Sequence, residues 1–491
     1  MIRFWRARAS AVLVQAADAS IEEVRVFAGR SLRPAQLPQP TPCAWRRLTR
    51  EPSSRIVKRQ QHFLQRPIQA FSVVSLAGVE QLGDLAGAWE SLMADEAKAI
   101  VRVLPRIADI GAAQWDRLAN PSGRAYDPFV SHAFLSALEE AETLTRRTGW
   151  VPQHLVLEGE LGEALGAMPC YLKSHSQGEY MFDYHWAEAC ERAGGRYYPK
   201  LQCAVPFTPV PGRRLLVAPG PESDAREQLL LAAATQLTGQ LKASSLHITF
   251  LSEDEWSRAG AAGLLQRTDK QFHWQNQGYA TFEEFLSTLA SRKRKSIRKE
   301  RREAVAGGIT IEHITGRDLT EAHWDAFFGF YMDTGSRKWG RPYLNRRFFS
   351  LIGKSMPDSC LLVFAKRDGR YVAGALNLIG GDCIYGRYWG TTDPQPCLHF
   401  EVCYYQAIDY AIEHGLARVE AGAQGEHKLA RGYMPTPTYS AHWIADRGLR
   451  GAIARYLVQE RQHMEHQRAA LAEYGPYKKA SETGVIDDEP R

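Results

Sequence analysis

An α/β (α+β) protein built twice in tandem, with a basic helix between the copies, is the fold class this sequence predicts. Three observations predict it. Strand and helix patterns recur in the same order in the two halves, short motifs repeat at matching places, and one strongly charged helical run falls between them. ALGAMPCYL in the first half answers VAGALNLIG in the second, and QFHWQ answers SAHWI. With 491 residues and 44% hydrophobic content, the chain holds enough material for two or three domains.

Residues 1–92 read unlike the rest. They are rich in Arg and Pro, lack a sustained apolar period, and carry 13 basic against 7 acidic residues, which accounts for the whole net charge of +6. The remainder is neutral, so partners must be read from local clusters rather than from global charge. This stretch is expected to be a disordered extension or leader sequence upstream of a true start at Met93. No run of about 18 apolar residues occurs, so no membrane span is expected. The eight cysteines form no C-x-x-C pair, which reads as packed thiols in a reducing, cytoplasmic compartment, and no metal is expected.

The first copy is placed at 93–275. HLVLEGELGEALGAMPCYLKSHSQGEYMFDYHW reads as three strands, followed by an insertion, 189–220, that holds one more. Leu230, Ala234, Leu237 and Leu241 share a stripe that predicts a helix over 223–242. The strand SSLHITFL, a helix at 253–266 and the strand QFHWQNQ complete the copy. The linking helix is placed at 276–308, with Phe282, Phe285, Leu286 and Leu289 as its docking stripe and Gly307-Gly308 as its stop. Eight of its eleven residues from 292 to 302 are basic, Lys293, Lys295 and Arg298 among them. Such a run is either a solvated face or an anion-binding surface for RNA or phosphates.

The second copy is placed at 309–447, with a C-terminal helix and tail at 448–491. Asp368-Gly369 and Gly380-Gly381-Asp382 mark tight turns between three consecutive strands. A helix at 400–414, the strand ARVEA and a last strand TPTYSAHWIA follow. Between those strands lies GAQGEHKLARGY, where glycines bracket Glu426, His427 and Lys428. An acid, an imidazole and an ammonium on a short loop at a strand's mouth make a candidate site. In the first copy Tyr180, Asp183, Tyr184, His185 and Trp186 alternate along a strand and its exit, so one face could line a pocket. Arg337, Lys338, Trp339 and Tyr343 sit at a helix exit suited to gripping an anionic or peptide substrate.

RKSIRKERREAVAGGITI, followed by helix, strands, helix and a strand running into the G-x-x-G-x-x-K turn, resembles the Fem-type peptidyltransferases. YYPKLQCAVPFTPVPGRRLL, HITFLSEDEW, YMDTGSRKWGRPYL and GAQGEHKLARGYMPTPTYSAHW are similar to the FemAB-like group of peptidoglycan biosynthesis or recognition proteins. The resemblance spans about residues 106–450. It implies two GCN5-related N-acetyltransferase-like domains in tandem. It also implies an aminoacyl-tRNA or acyl-CoA donor, with tRNA as a possible partner and a peptide or other amine as acceptor.

Gly212, Arg213 and Arg214, between a strand and the first copy's helix, are candidates for holding donor phosphates, and 390–393 occupies the corresponding place in the second copy. Neither carries the Q/R-x-x-G-x-G/A pattern of acetyl-CoA users. For acyl transfer, Glu426 and His427 are candidates for proton handling, Lys428 for a phosphate or developing negative charge, and Glu401 for orienting an amine. Two rivals stand beside an aminoacyl transferase: a CoA-dependent N-acyltransferase of a small metabolite, and a noncatalytic module that recognises a peptide or muropeptide.

Overall fold

The computed structural model describes residues 73–75, 100–339, 342–422 and 425–478. The chain begins with β1 (Val73–Ser75), β2 (Ile100–Leu104), α1 (Ala112–Ala119), α2 (His132–Glu140) and β3 (Trp150–Pro152). Next come β4 (His154–Glu158), β5 (Ala164–Met168), β6 (Cys170–Lys173), α3 (Tyr184–Arg192), β7 (Lys200–Cys203) and β8 (Leu216–Val217). The first half ends with α4 (Ser223–Gln240), β9 (Ser245–Leu251), α5 (Glu253–Ala261) and β10 (Leu265–Gln275).

Two helices link the halves, α6 (Phe282–Ser287) and α7 (Ser291–Ala304). The second half runs through β11 (Thr310–Thr315), α8 (Glu321–Trp339), α9 (Arg346–Ser355), β12 (Cys360–Arg367), β13 (Arg370–Ile379) and β14 (Cys383–Thr391). Then α10 (Leu398–Phe400) passes through a π-helical turn, Glu401–Tyr405, into α11 (Gln406–Glu413). β15 (Arg418–Glu420), a 3-10 helix (Glu426–Arg431), β16 (Met434–Ile444) and α12 (Arg447–Glu473) complete the chain.

Eleven strands form one sheet in the order β11-β12-β13-β14-β15-β10-β16-β9-β7-β6-β3. Each half contributes one parallel pair with a helix between its strands: β7 with β9, bridged by α4, and β14 with β15, bridged by α10 and α11. The halves then exchange their last strands. β10 of the first half lies between β15 and β16 of the second, and β16 lies between β10 and β9 of the first. A second sheet, β1-β2-β4-β5-β8, packs beside it.

Several elements differ from the sequence reading. YMFDYHW is not a third strand, because the chain leaves β6 through a loop with Tyr180 at φ 61° and enters α3 at Asp183. The strand opposite β9 is instead β7, from within the stretch read as an insertion. Pro169, which has no N–H to give to a ladder, separates β5 from β6 and lets the chain pass from the small sheet to the large one. The linking helix is two helices broken at 288–290. Val73–Ser75, inside the stretch expected to be disordered, pairs with β2, and the rest of 1–92 lies outside the described residues.

Local signals account for the helix starts. Ser252 and Glu255 form a reciprocal capping box on α5, and Ser131, Asn345 and Asp446 cap α2, α9 and α12 through their side chains. Three large apolar clusters hold the layers. One joins α1, α2, α8 and α9 to β12–β14, the second joins α6, α7, α10 and α11 to the opposite face of those strands, and the third joins α4 and α5 to β2, β4 and β9. Among the described residues no helix is long and apolar enough to cross a membrane.

Candidate functional site

Side chains alternate across a strand, so residues two apart share a face. On one face of the large sheet this rule brings together a band of polar residues. It runs from Lys173 and Lys200 through Gln202, His247, Thr249, His442 and Thr438 to Gln271, His273 and Glu420, crossing both halves. All are buried. The loop 205–210 lies over the band, with the Gln271 amide donating to Pro209 O and the Tyr388 hydroxyl to Phe207 O. Leaving a buried polar group unpaired costs about 1–3 kcal/mol. Yet Gln202 Oε1, Thr438 Oγ1, Glu420 Oε2 and His442 Nε2 have no hydrogen-bond partner. Unpaired groups concentrated along one band mark a place shaped for polar chemistry rather than for packing alone.

At the second-half end, β14 and β15 pair only at residues 383–385 and 418–420, after which β14 runs on to Thr391 paired with β13 alone. Arg387 lies just past the last pair. Its side chain is 4% exposed, and Nη2 stands 3.7 Å from Glu420 Oε2. Nη1 donates to Gly386 O at 2.9 Å, while Nε and Nη2 have no hydrogen-bond partner. Asn377, buried on β13, has neither side-chain nitrogen nor oxygen paired. His273 faces Glu420 from β10, and burial lowers its pKa. A narrow hollow, with room for about one water, opens beside Arg387.

The turn after β15 closes this end. Gly422 and Gly425 take φ 75° and 98°, values a side chain resists. Lys428 is buried, and its Nζ donates to Ala421 O and, at 3.1 Å, to Gly422 O, tying the turn to the strand. Burial lowers its pKa to about 8. Glu426 and His427 are exposed on the rim, with His427 Nε2 3.1 Å from the Tyr404 hydroxyl. Glu401 is buried in the π-helical turn and accepts from Arg301 of α7 at 2.9 and 3.2 Å and from Gln406 at 2.7 Å. Arg301 also reaches Asp409 at 2.6 Å.

The first-half end is a buried charge cluster. Lys200 donates to Ser176 and Glu179, both at 2.7 Å, and to Asp183. The Tyr197 hydroxyl donates to Asp183 at 2.7 Å. Burial would raise the Asp183 pKa, but Lys200 and His247 beside it hold the carboxyl well below its ordinary range. Burial takes the Lys173 pKa down to about 7, with its Nζ over the Trp150 ring at 3.5 Å. His247 Nδ1 meets His442 Nδ1 at 2.8 Å, so one of the two carries the shared proton. The exchange of last strands thus brings His442 of the second half to the first-half cluster and His273 of the first half to the second-half opening.

The other sequence candidates lie around these ends. Tyr184 and His185 are exposed at the start of α3, where the Tyr184 ring stacks on Phe182. The Tyr343 ring stacks on Phe207 at 5.0 Å. Arg337 and Trp339 belong to the last turn of α8, and their side chains lie outside the described residues. Gly212 packs against Asp127, whose Oδ2 would lie 2.8 Å from any added Cβ. The Arg213 and Arg214 guanidiniums are engaged by main-chain carbonyls: Leu118 and Val217 for Arg213, Thr249 and Val210 for Arg214. Gly390 does not form a cradle, because a Cβ there would lie 2.1 Å from Phe330 O of α8. On α7, Arg298 pairs with Glu283, while Lys295 is exposed and Lys293 half-buried.

The sequence reading did not single out Lys200, Glu179, His247, Arg387 or Glu420. One signal was present in the matching QFHWQ and SAHWI, which place His273 and His442 at the same point of the two motifs, on β10 and β16.

The FemAB-like family, described as peptidoglycan biosynthesis/recognition, matches the chain over residues 106–479. No curated protein matches it. Similar solved structures include FemX, at 15% identity and a TM-score of 0.45, covering 70% of this chain and 98% of FemX. L-PGS from Bacillus licheniformis is 10% identical with a TM-score of 0.42, covering 68% and 97%. A tandem GNAT protein from the clavulanic acid biosynthesis pathway is 12% identical with a TM-score of 0.34, covering 77% and 99%.

Proposed function

The chain belongs to the FemAB-like family of peptidoglycan biosynthesis and recognition proteins, and from that premise we propose that it transfers an acyl or aminoacyl group to an amine acceptor where β14 and β15 part. One observation carries the reading. Arg387 and Glu420 face each other across the opening with the cation's Nε and Nη2 and the carboxylate's Oε2 unpartnered. Acyl transfer needs both kinds of group. The acceptor nitrogen attacks the acyl carbon, a C–N bond forms, and the C–O or C–S bond to the carrier breaks with its electron pair leaving on the carrier atom. Glu420 takes the amine's proton and returns it to that leaving atom, while the Arg387 donors meet the negative charge on the carbonyl oxygen.

In this reading Glu426 and His427 meet the incoming acceptor at the rim, and Lys428 holds the turn against the end of β15. An aminoacyl-tRNA donor suits the exposed basic side of α7, where Lys295, Lys299 and Arg302 stand free to approach phosphates. Peptidoglycan precursors, as peptide amines, are the acceptor class the family name suggests. The experiment offers the purified protein labelled aminoacyl-tRNA or labelled short-chain acyl-CoA, with a precursor-like peptide carrying a free amine. Label in an amide stable to mild alkali is the expected product, and the productive donor identifies the carrier. Peptide binding with no transfer from either donor would instead make the protein a recognition module.

A further inference from the structure

We propose that the space beside Gly386 seats the α-amino group of the transferred group, so that the chain takes an aminoacyl donor over a plain acyl donor. The inference rests on the transfer reading, and its own support is the geometry on the side of β14 away from Arg387. Leu376 of β13 pairs with Tyr388 of β14 and Asn377 with Gly386, which leaves Arg387 as the extra residue of a bulge. Leu376 and Leu378 pack with α8 and α9, whereas Ala375 packs with α10 and α11, so alternation turns Asn377 to the α10 and α11 face. Arg387 turns to the other face, over the Phe129 ring. Asn377 is 1% exposed, and neither its Nδ2 nor its Oδ1 has a hydrogen-bond partner among the described residues. An amide left unpaired in full burial costs stability that a ligand can restore.

What a side chain on Gly386 would meet defines the guest. Beyond the glycine's own chain neighbours, the place of its missing Cβ has two atoms of the described residues within 4 Å, Asn377 Oδ1 at 3.4 Å and Glu420 O at 3.6 Å. Both are hydrogen-bond acceptors. The place therefore suits a single donor atom, and it lies one residue past the last β14 and β15 pair, where the acyl group enters. A hydroxyl has one hydrogen to give; an amine has two, one for each oxygen, while Asn377 Nδ2 donates to an oxygen of the same aminoacyl group. Arg387 and Arg418 border Glu420, and Lys428 closes the turn, so a further cation is disfavoured there. An α-amino group gives up its proton near neutral pH and enters uncharged at little cost. A plain acyl chain leaves both oxygens unmet, and a site built to hydrogen-bond a group rejects the analogue that lacks it.

Binding of two probes that differ in the amino group alone tests this without any transfer step. The amides 3′-alanylamino-3′-deoxyadenosine and 3′-propionylamino-3′-deoxyadenosine are titrated by calorimetry against the full chain and its Gly386→Ala and Asn377→Leu variants. The wild type is expected to hold the alanyl probe about tenfold tighter or more. Gly386→Ala puts a methyl group in the amino group's place, at ordinary contact distance from both oxygens, and Asn377→Leu removes one acceptor. Either variant is expected to bring the ratio close to one by weakening the alanyl probe, with propionyl binding unchanged. Should Asn377→Leu fail to fold, Gly386→Ala decides. Equal binding of the two probes by the wild type, binding of neither, or a wild-type ratio in folded Gly386→Ala overturns the proposal. An alanyl preference without amide formation in the transfer assay would leave the amino-group site standing and remove the transfer reading. Transfer from alanyl and propionyl donors at equal rates would do the reverse.

Discussion

Lys173 shows how a single buried group sets a pH dependence. Burial brings its pKa from 10.5 to about 7, so between those values the unfolded chain binds a proton that the folded chain lacks. Stability must therefore rise with pH across that window, by an amount on the order of a few kcal/mol. Urea unfolding at pH 6.5 and pH 9 should show the rise in the wild type and its loss in Lys173→Met. An unchanged slope in the variant would mean that Lys173 keeps its ordinary pKa. Its neighbour behaves oppositely, because Lys200 is the cation that compensates Glu179 and Asp183 in full burial. Removing one partner of a buried pair costs about 3–5 kcal/mol, since the other charge is stranded. Lys200→Met should therefore lower the melting temperature sharply, and adding Glu179→Gln should recover part of the loss. No recovery would show that the two are not coupled.

At the scale of elements, α7 divides into an anchored side and a free side. Arg301 is tied to Glu401 and Asp409, and Arg298 to Glu283, whereas Lys295, Lys299 and Arg302 face solvent. Replacing Lys293, Lys295, Lys299 and Arg302 by glutamine should leave the melting temperature nearly unchanged. If α7 contacts RNA, the same variant should weaken tRNA binding and flatten its salt dependence, by about one slope unit per lost phosphate contact. Filter binding across a salt series reads both, and equal slopes would remove tRNA from the account. The elements themselves were legible wherever a local rule governs them. Helical stripes placed α4 and α11, tight-turn glycines placed β12–β14, and the bracketing glycines placed the turn before β16. Where two local rules compete, the reading failed. Alternating aromatics in YMFDYHW suggested a strand, but the chain had already left the sheet, and the stretch forms a loop that runs into the first turn of α3.

For the whole molecule, the exchange of β10 and β16 is the feature no local pattern carries. Strand neighbours separated by more than 150 residues, such as His442 beside His247, are chosen by the complete sheet. That is also why Arg387 and Glu420 passed unnoticed: a charge in an alternating strand reads as solvent-facing until the layer of Phe129 and the loop 205–210 is known to cover it. The exchange makes the halves interdependent. Fragments 100–288 and 289–478 expressed apart should each lack a cooperative unfolding transition, because each exposes edges its partner normally fills. Co-expressed, they should associate and melt as the intact chain does, and independent cooperative folding of either fragment would contradict the exchange. The central claim is transfer at the opening between β14 and β15, and single-turnover kinetics with whichever donor the wild type accepts test it most directly. Arg387→Lys and Glu420→Gln, each checked for native near-UV circular dichroism, should slow amide formation about 100-fold to 1,000-fold. Wild-type rates in both folded variants would place the chemistry elsewhere.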